Sequence, residues 1–144
     1  MKKLLSVSVL LLLVISFFSA SAIKPEGKKA TAVTKAAKVE VYYFHYSRRC
    51  VTCQAVETES QKAIATLYPK EMKSGQIKFI GVNLDDKGSE TLAAKCRAEG
   101  QALLVISGNK RIDLTDQGFM YARSKPEKLR NELKSVINPL LGSK

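Results

Sequence analysis

Apolar and polar positions follow two different periods along the first part of the sequence. Residues 39–46 are dense in β-branched and aromatic side chains on both alternating faces, which is typical of a central strand covered on two sides. From Cys50 to Pro69 the inward positions recur at spacings of three and four, and this period predicts an amphipathic helix. Its inward residues are Cys53, Val56, Ser60, Ala63, Ile64 and Leu67. The chain therefore passes from a buried strand into a helix at Cys50.

Strands and helices continue to alternate in the middle of the chain. After a turn over residues 73–76, the apolar run at residues 77–84 predicts a second strand. A short helix is expected over residues 89–98, with Gly100 as its left-handed stop. The following run at residues 101–106 predicts a third strand.

The last third of the sequence predicts a hairpin and a long helix. The third strand turns at residues 107–110 and returns through residues 111–114 as an antiparallel partner. Ser124 and Glu127 fit a capping box for the final helix, with Pro126 in its first turn. The inward stripe of that helix consists of Leu129, Leu133, Val136, Ile137 and Leu140. The order βαβαββα predicts an α/β fold, with a mixed sheet of about four strands and helices on both faces.

The N-terminal residues have the features of an export leader. Lys2 and Lys3 precede an apolar stretch over residues 4–18, and Ala20-Ser21-Ala22 matches a small-residue cleavage site. We therefore expect a signal peptide over residues 1–22 and an exported product, periplasmic or secreted. No stable membrane span is expected after cleavage.

The composition is basic, with a formal net charge of +11. Much of the excess lies in residues 23–38, where lysines alternate with small residues and predict a flexible tether. The folded domain then covers residues 39–144. The sequence lacks interleaved aromatic and basic residues, and with the expected export this argues against nucleic acid as a partner.

Cys50 and Cys53 form a Cys-x-x-Cys pair at the start of the first helix. Unpaired N–H groups and the positive end of the helix dipole stabilise a thiolate there. Arg48 and Arg49 add two positive charges and are expected to favour the Cys50 thiolate further. Cys50 is predicted to attack a disulfide as the nucleophile, and Cys53 to resolve the mixed disulfide. The alternative is a structural disulfide or a pair of spare thiols.

Two further residues leave the chemistry open. Cys96 lies on the inward face of the short helix, where a buried inert thiol is the default. If it reached the pair, Cys50, Cys53 and Cys96 would offer three soft sulfur ligands to a trivalent metalloid such as arsenite or to Cu(I). His45, the sole histidine, is either a packed strand residue or a proton shuttle or metal ligand. No motif indicates a flavin or nicotinamide, so the chain is expected to bind no cofactor of its own.

This order of elements, with Cys-x-x-Cys after the first long strand, resembles the thioredoxin fold over residues 39–141. More closely, the sequence looks like the small exported thioredoxin-like proteins known as the ArsF family of nitrophenyl compound nitroreductase subunits. The residues that carry this resemblance are Tyr43-Phe44-His45 and Arg48-Arg49-Cys50-Val51-Thr52-Cys53-Gln54-Ala55-Val56-Glu57. The resemblance implies a redox partner protein and an electron-transfer or accessory role beside a nitroreductase.

Three positions depart from ordinary thioredoxins. Phe44 stands six residues before the first cysteine, where thioredoxins usually carry a buried acid, so no proton acceptor is supplied there. Arg49 stands where tryptophan is usual, and the proline that family members place before the third strand is absent from residues 100–103. Since that proline discourages metal capture in relatives, its loss favours the metal alternative.

Three hypotheses for function follow from these observations. The first is an exported thiol-disulfide oxidoreductase that uses the Cys50-x-x-Cys53 dithiol. The second is a thiolate module that binds a metal or metalloid without turnover, and the third is a non-catalytic interaction subunit. The sequence leaves open the direction of electron flow, the partner and the oligomeric state.

Overall fold

The apolar run predicted as a central strand forms the middle of the sheet. The computed structural model of the protein describes residues 38–142. The predicted leader over residues 1–22 lies outside the described residues, and so does the predicted tether except for its last residue, Lys38. The carbonyl of Lys38 accepts a hydrogen bond from Ser107 Oγ at 2.7 Å. The folded part therefore includes Lys38.

Strands and helices alternate through the described part of the chain as the apolar pattern predicts, with two short helices in addition. In chain order the elements are β1 (Val39–His45), α1 (Val51–Leu67), α2 (Pro69–Lys73), β2 (Ile77–Asn83), α3 (Ser89–Cys96), β3 (Ala102–Ser107), β4 (Lys110–Asp113), α4 (Thr115–Tyr121) and α5 (Pro126–Gly142). The additional helices are α2 and α4.

The four strands form one mixed sheet in the order β2-β1-β3-β4. β1 and β2 are parallel, with Val39 opposite Ile77. β3 is antiparallel to β1, with Phe44 opposite Ala102, and β4 is antiparallel to β3. The last residues of β1 and the first residues of β3 therefore lie at the same end of the sheet. The chain continues from this end to Cys50.

The two faces of β1 are covered by different helices, because successive side chains of a strand point to opposite sides. Val41 and Tyr43 pack in a core cluster with residues of α1, α4 and α5. Tyr42 and Phe44 pack in a second cluster with residues of α3. The predicted α/β fold is thus confirmed, with helices on both faces of a four-stranded sheet.

The apolar stripe of α5 is buried as predicted, at Leu129, Leu133, Ile137 and Leu140, with Val136 partly buried. The predicted capping box is wrong. Ser124 Oγ donates a hydrogen bond to the carbonyl of Met120 at 3.2 Å, and the helix begins at Pro126. Ser124 therefore bonds back toward α4 and does not cap α5.

The predicted stop of α3 is also wrong. The left-handed residue that ends α3 is Arg97, with φ 53°, and Gly100 has no positive φ. Arg111 compensates the strained end, because its Nε donates to the carbonyl of Cys96 at 2.9 Å and its Nη2 to that of Arg97 at 3.1 Å. A side chain from β4 thus satisfies carbonyls at the end of this helix.

The additional helix α4 depends on a close approach to the core. A Cβ at Gly118 would lie 3.1 Å from Val56 Cγ1 and 3.3 Å from Leu103 Cδ2. Glycine at this position lets α4 pack directly on α1 and β3.

No helix of the described residues is long and apolar enough to cross a bilayer.

Candidate functional site

Cys50 occupies the N-cap position of α1, where the chain leaves the central strand. Its backbone is extended, with φ −74° and ψ 163°, and its carbonyl accepts the first helical hydrogen bond, from Gln54 N at 3.1 Å. Its sulfur accepts a hydrogen bond from Cys53 N at 3.2 Å. The first turn of α1 holds no acidic residue. The N–H groups and dipole of the helix therefore act on this sulfur without an opposing charge in that first turn.

The two cysteines differ in exposure and are joined by a disulfide, with Cα atoms 5.2 Å apart. Cys50 is exposed, whereas Cys53 is 4% exposed. A partner thiolate could therefore reach the sulfur of Cys50 far more easily than that of Cys53. This asymmetry is what the roles of attacking and resolving thiol require.

Tyr43 contacts the backbone of Cys53 from the central strand. Its hydroxyl donates a hydrogen bond to the carbonyl of Cys53 at 2.9 Å, and its side chain is fully buried. Burial raises the pKa of Tyr43 to about 12, with Arg49 acting against the rise and Glu57 adding to it. Tyr43 thus ties the first turn of α1 to the central strand.

Arg49 does not extend freely beside Cys50. Its Nη1 forms an ion pair and hydrogen bond with Glu57 Oε2, and the two side chains are 24% and 26% exposed. Because a carboxylate neutralises this guanidinium, its effect on a Cys50 thiolate is weaker than the sequence alone suggested. Arg48 is exposed.

His45 lies beside the other oxygen of the Glu57 carboxylate. Its Nε2 lies 4.0 Å from Glu57 Oε1, and its Nδ1 lies 3.1 Å from the carbonyl of Tyr46. Its side chain is largely buried at the end of β1. His45 is therefore packed at the end of its strand, as the first of the two interpretations of this residue has it. Its ring faces Glu57.

The loop before Cys50 is fixed by polar contacts with the loop after β2. Ser47 N donates to Asp85 Oδ2 at 2.8 Å, and Asn83 Nδ2 donates to Ser47 Oγ at 3.0 Å. Hydrogen bonding from the backbone and side chain of Ser47 to Asp85 lowers the pKa of the Asp85 carboxyl. The loop is therefore anchored at Ser47, three residues ahead of Cys50.

Cys96 lies in the cluster on the opposite face of the sheet, together with Tyr42 and Phe44. It is a buried free thiol, and burial raises its pKa. The structure therefore does not bring Cys96 to Cys50 and Cys53. Within residues 38–142, no group of three or more His, Cys, Asp or Glu side chains is placed to hold a metal ion.

The surface around the disulfide is partly apolar. Tyr46 and Val51, on either side of Cys50 in sequence, are 40% and 66% exposed. Tyr46 also lines a cleft of about 380 Å³ together with Ala98 and Gly100. Tyr46 therefore presents an exposed aromatic ring at the end of this cleft. No peptide bond among the described residues is cis.

Sequence reasoning missed Glu57 and Tyr43 as residues of the site. The spacing offered a signal for Glu57, because it follows the buried Cys53 by four residues and so shares its helix face. Phe44, at the usual position of the acid, points to the opposite face of the sheet. The carboxylate of this site is supplied by α1 instead of β1.

The fold and the site together define a thioredoxin-like α/β protein with a disulfide at a helix N-terminus. A comparison with models of known protein families found no match, and a comparison with curated proteins found none either. Among solved structures, the chain is similar to one described as "Structure of a malarial protein". The sequence identity is 21% and the TM-score 0.39, and the match covers 61% of this chain and 96% of that chain. A likeness of this size carries no argument about function.

Proposed function

We propose that the protein is a thiol-disulfide oxidoreductase that exchanges electrons with a partner protein through Cys50 and Cys53. The observation that carries this proposal is the asymmetric disulfide, with Cys50 exposed at the N-cap of α1 and Cys53 buried one turn further on. Tyr46 and Val51, on either side of Cys50 in sequence, supply exposed apolar surface for a partner chain.

The reaction is a pair of exchanges at sulfur. In the reduced protein the Cys50 thiolate attacks a partner disulfide, a new S–S bond forms, and one partner sulfur leaves as a thiolate. The Cys53 thiolate then attacks the Cys50 sulfur, which releases the second partner thiolate and forms the Cys50–Cys53 disulfide. Two electrons have passed to the partner, and the reverse sequence oxidises a partner dithiol.

Export remains part of the proposal, because the predicted leader lies outside the described residues. Delivery to the periplasm or outside the cell would place the dithiol where disulfides persist and where partner proteins set the thiol state. The accessory role beside a nitroreductase, implied by the resemblance to the ArsF family, stays a prediction. We do not propose the three-thiol metal site, because Cys96 lies on the opposite face of the sheet.

The proposal is tested by trapping the intermediate. Cys53→Ser should accumulate a mixed disulfide with a model disulfide substrate, whereas Cys50→Ser should form none, because Cys53 is buried. Cys96→Ser is the matched control and should behave as the wild-type protein. A redox titration should also give one reversible two-electron couple. Absence of that couple, or a mixed disulfide that persists in Cys50→Ser, would refute the proposed function.

A further inference from the structure

Glu57 is enclosed by groups from three separate elements of the fold. Arg49, in the loop before α1, binds one carboxylate oxygen, and His45 at the end of β1 lies 4.0 Å from the other. The third neighbour is Gly81 in β2, where an added Cβ would lie 2.8 Å from Glu57 Oε1. Glu57, in the second turn of α1, is thus packed over β2 and beside a cation, and its side chain is only 26% exposed.

Gly81 in β2 indicates that the carboxylate of Glu57 must lie close to this strand. Glycine within a strand weakens it and often marks a close approach of another group. At Gly81 the approaching group is the carboxylate of Glu57. The absence of a side chain there lets Glu57 lie where it can hold Arg49, the residue immediately before the exposed Cys50.

A cation beside Cys50 changes the balance between the two redox states. Reduction of the disulfide consumes two electrons and two protons and yields two thiols, or consumes one proton fewer when Cys50 remains a thiolate. A free guanidinium stabilises the thiolate and hence the reduced state, and this makes the couple more oxidising. A guanidinium paired with a carboxylate forms a pair of little net charge, so it stabilises the thiolate much less.

We propose that Glu57 is a positioning residue that neutralises Arg49 and thereby keeps the Cys50–Cys53 couple more reducing than the helix N-terminus and Arg49 alone would make it. This inference rests on the proposed thiol-disulfide function. It goes beyond it in assigning the redox poise to an Arg49–Glu57 pair, and it favours a role as a donor of electrons to partner disulfides.

The test is a set of redox titrations against glutathione at pH 7 with Glu57→Gln, Arg49→Gln and the double variant. Glu57→Gln should shift the equilibrium toward the reduced protein by about tenfold, which corresponds to about 30 mV for a two-electron couple. Arg49→Gln should shift it the opposite way by a few fold. The double variant should lie within about threefold of the wild-type protein.

Glu59→Gln is the matched control, because it removes the same charge from the same helix at a residue that pairs with Lys62, at 3.9 Å. Its equilibrium should stay within twofold of the wild type. Gly81→Ala is a second route to the same effect, since its Cβ displaces only the end of the flexible Glu57 side chain. It should shift the equilibrium in the same direction as Glu57→Gln.

The outcomes separate the two proposals. Absence of a reversible couple in the wild-type protein refutes the proposed function and this inference with it. A reversible couple that Glu57→Gln leaves unchanged, or makes more reducing, refutes the inference alone. A double variant as oxidising as Glu57→Gln also refutes it, because Arg49 would then not transmit the effect.

Discussion

The hydroxyl of Tyr43 joins the core to the redox site, and its removal has a pH-dependent effect that follows from the structure. In Tyr43→Phe the ring remains and only the hydrogen bond to the carbonyl of Cys53, 2.9 Å long, is lost. That carbonyl keeps its helical partner, so the acceptor is not left unpaired. We expect a loss of about 1 kcal/mol in the free energy of unfolding at pH 8.

The sign of the pH dependence is set by the raised pKa of Tyr43. Burial favours the neutral phenol, so the unfolded chain loses this proton near pH 10, the ordinary value, and the folded protein only near pH 12. The stability that depends on this proton is complete below pH 10 and is lost as the pH rises through 12. At pH 11 the wild-type protein should have lost about 1.4 kcal/mol of it, while Tyr43→Phe loses none.

The measurement is urea denaturation of both proteins between pH 8 and pH 11, in a Cys96→Ala background so that no free thiolate attacks the disulfide. The wild-type advantage of about 1 kcal/mol at pH 8 should vanish or reverse by pH 11. Tyr46→Phe, at an exposed ring, should cost less than about 0.5 kcal/mol at pH 8. A Tyr43→Phe difference that is the same at every pH would contradict the reasoning.

Three further substitutions test the packing. Gly118→Ala gains about 1 kcal/mol in helix propensity but forces a contact on buried Val56, so we expect net destabilisation by up to about 2 kcal/mol in urea denaturation, and a stabilised variant would contradict this. Ser60→Ala should be neutral or stabilising by up to about 1 kcal/mol, because its buried hydroxyl has no hydrogen-bond partner among the described residues. Arg111→Gln should cost about 1 to 3 kcal/mol and speed amide exchange around Cys96, because carbonyls at the end of α3 lose their donor.

The elements whose pattern is repeated over several turns or strand positions could be predicted from the sequence. β1 is apolar on both faces because it lies between β2 and β3 with helices on each side, and α1 and α5 each bury a regular stripe. The Cys50–Cys53 pair was found for the same reason, because the change of period at Cys50 marks the start of a helix.

The features that the sequence did not reveal depend on contacts between distant residues. α4 is short and contains Gly118, which local propensity disfavours, and it is stabilised by packing on α1 and β3. Arg97 adopts the left-handed conformation at the end of α3 because Arg111, from another strand, binds the adjacent carbonyls. Neither contact leaves a periodic signal in the sequence.

The charge around the dithiol was misjudged for a related reason. Arg48 and Arg49 are adjacent in sequence and carry the same charge, yet the fold pairs Glu57 with Arg49 and leaves Arg48 exposed. The position of Glu57 in turn depends on Gly81, which belongs to a strand 24 positions further along the sequence. Only the parallel pairing of β1 with β2 places these residues together.

The account depends most on the different accessibility of the two sulfur atoms in Cys50 and Cys53. The most direct measurement is brief alkylation of the fully reduced protein with iodoacetamide at pH 7, quenched at several times and mapped by peptide mass spectrometry. We expect Cys50 to be modified at least about tenfold faster than Cys53 or Cys96, because it alone combines exposure with the helix N-terminus. Equal rates at Cys50 and Cys53, or first modification at Cys96, would contradict the account.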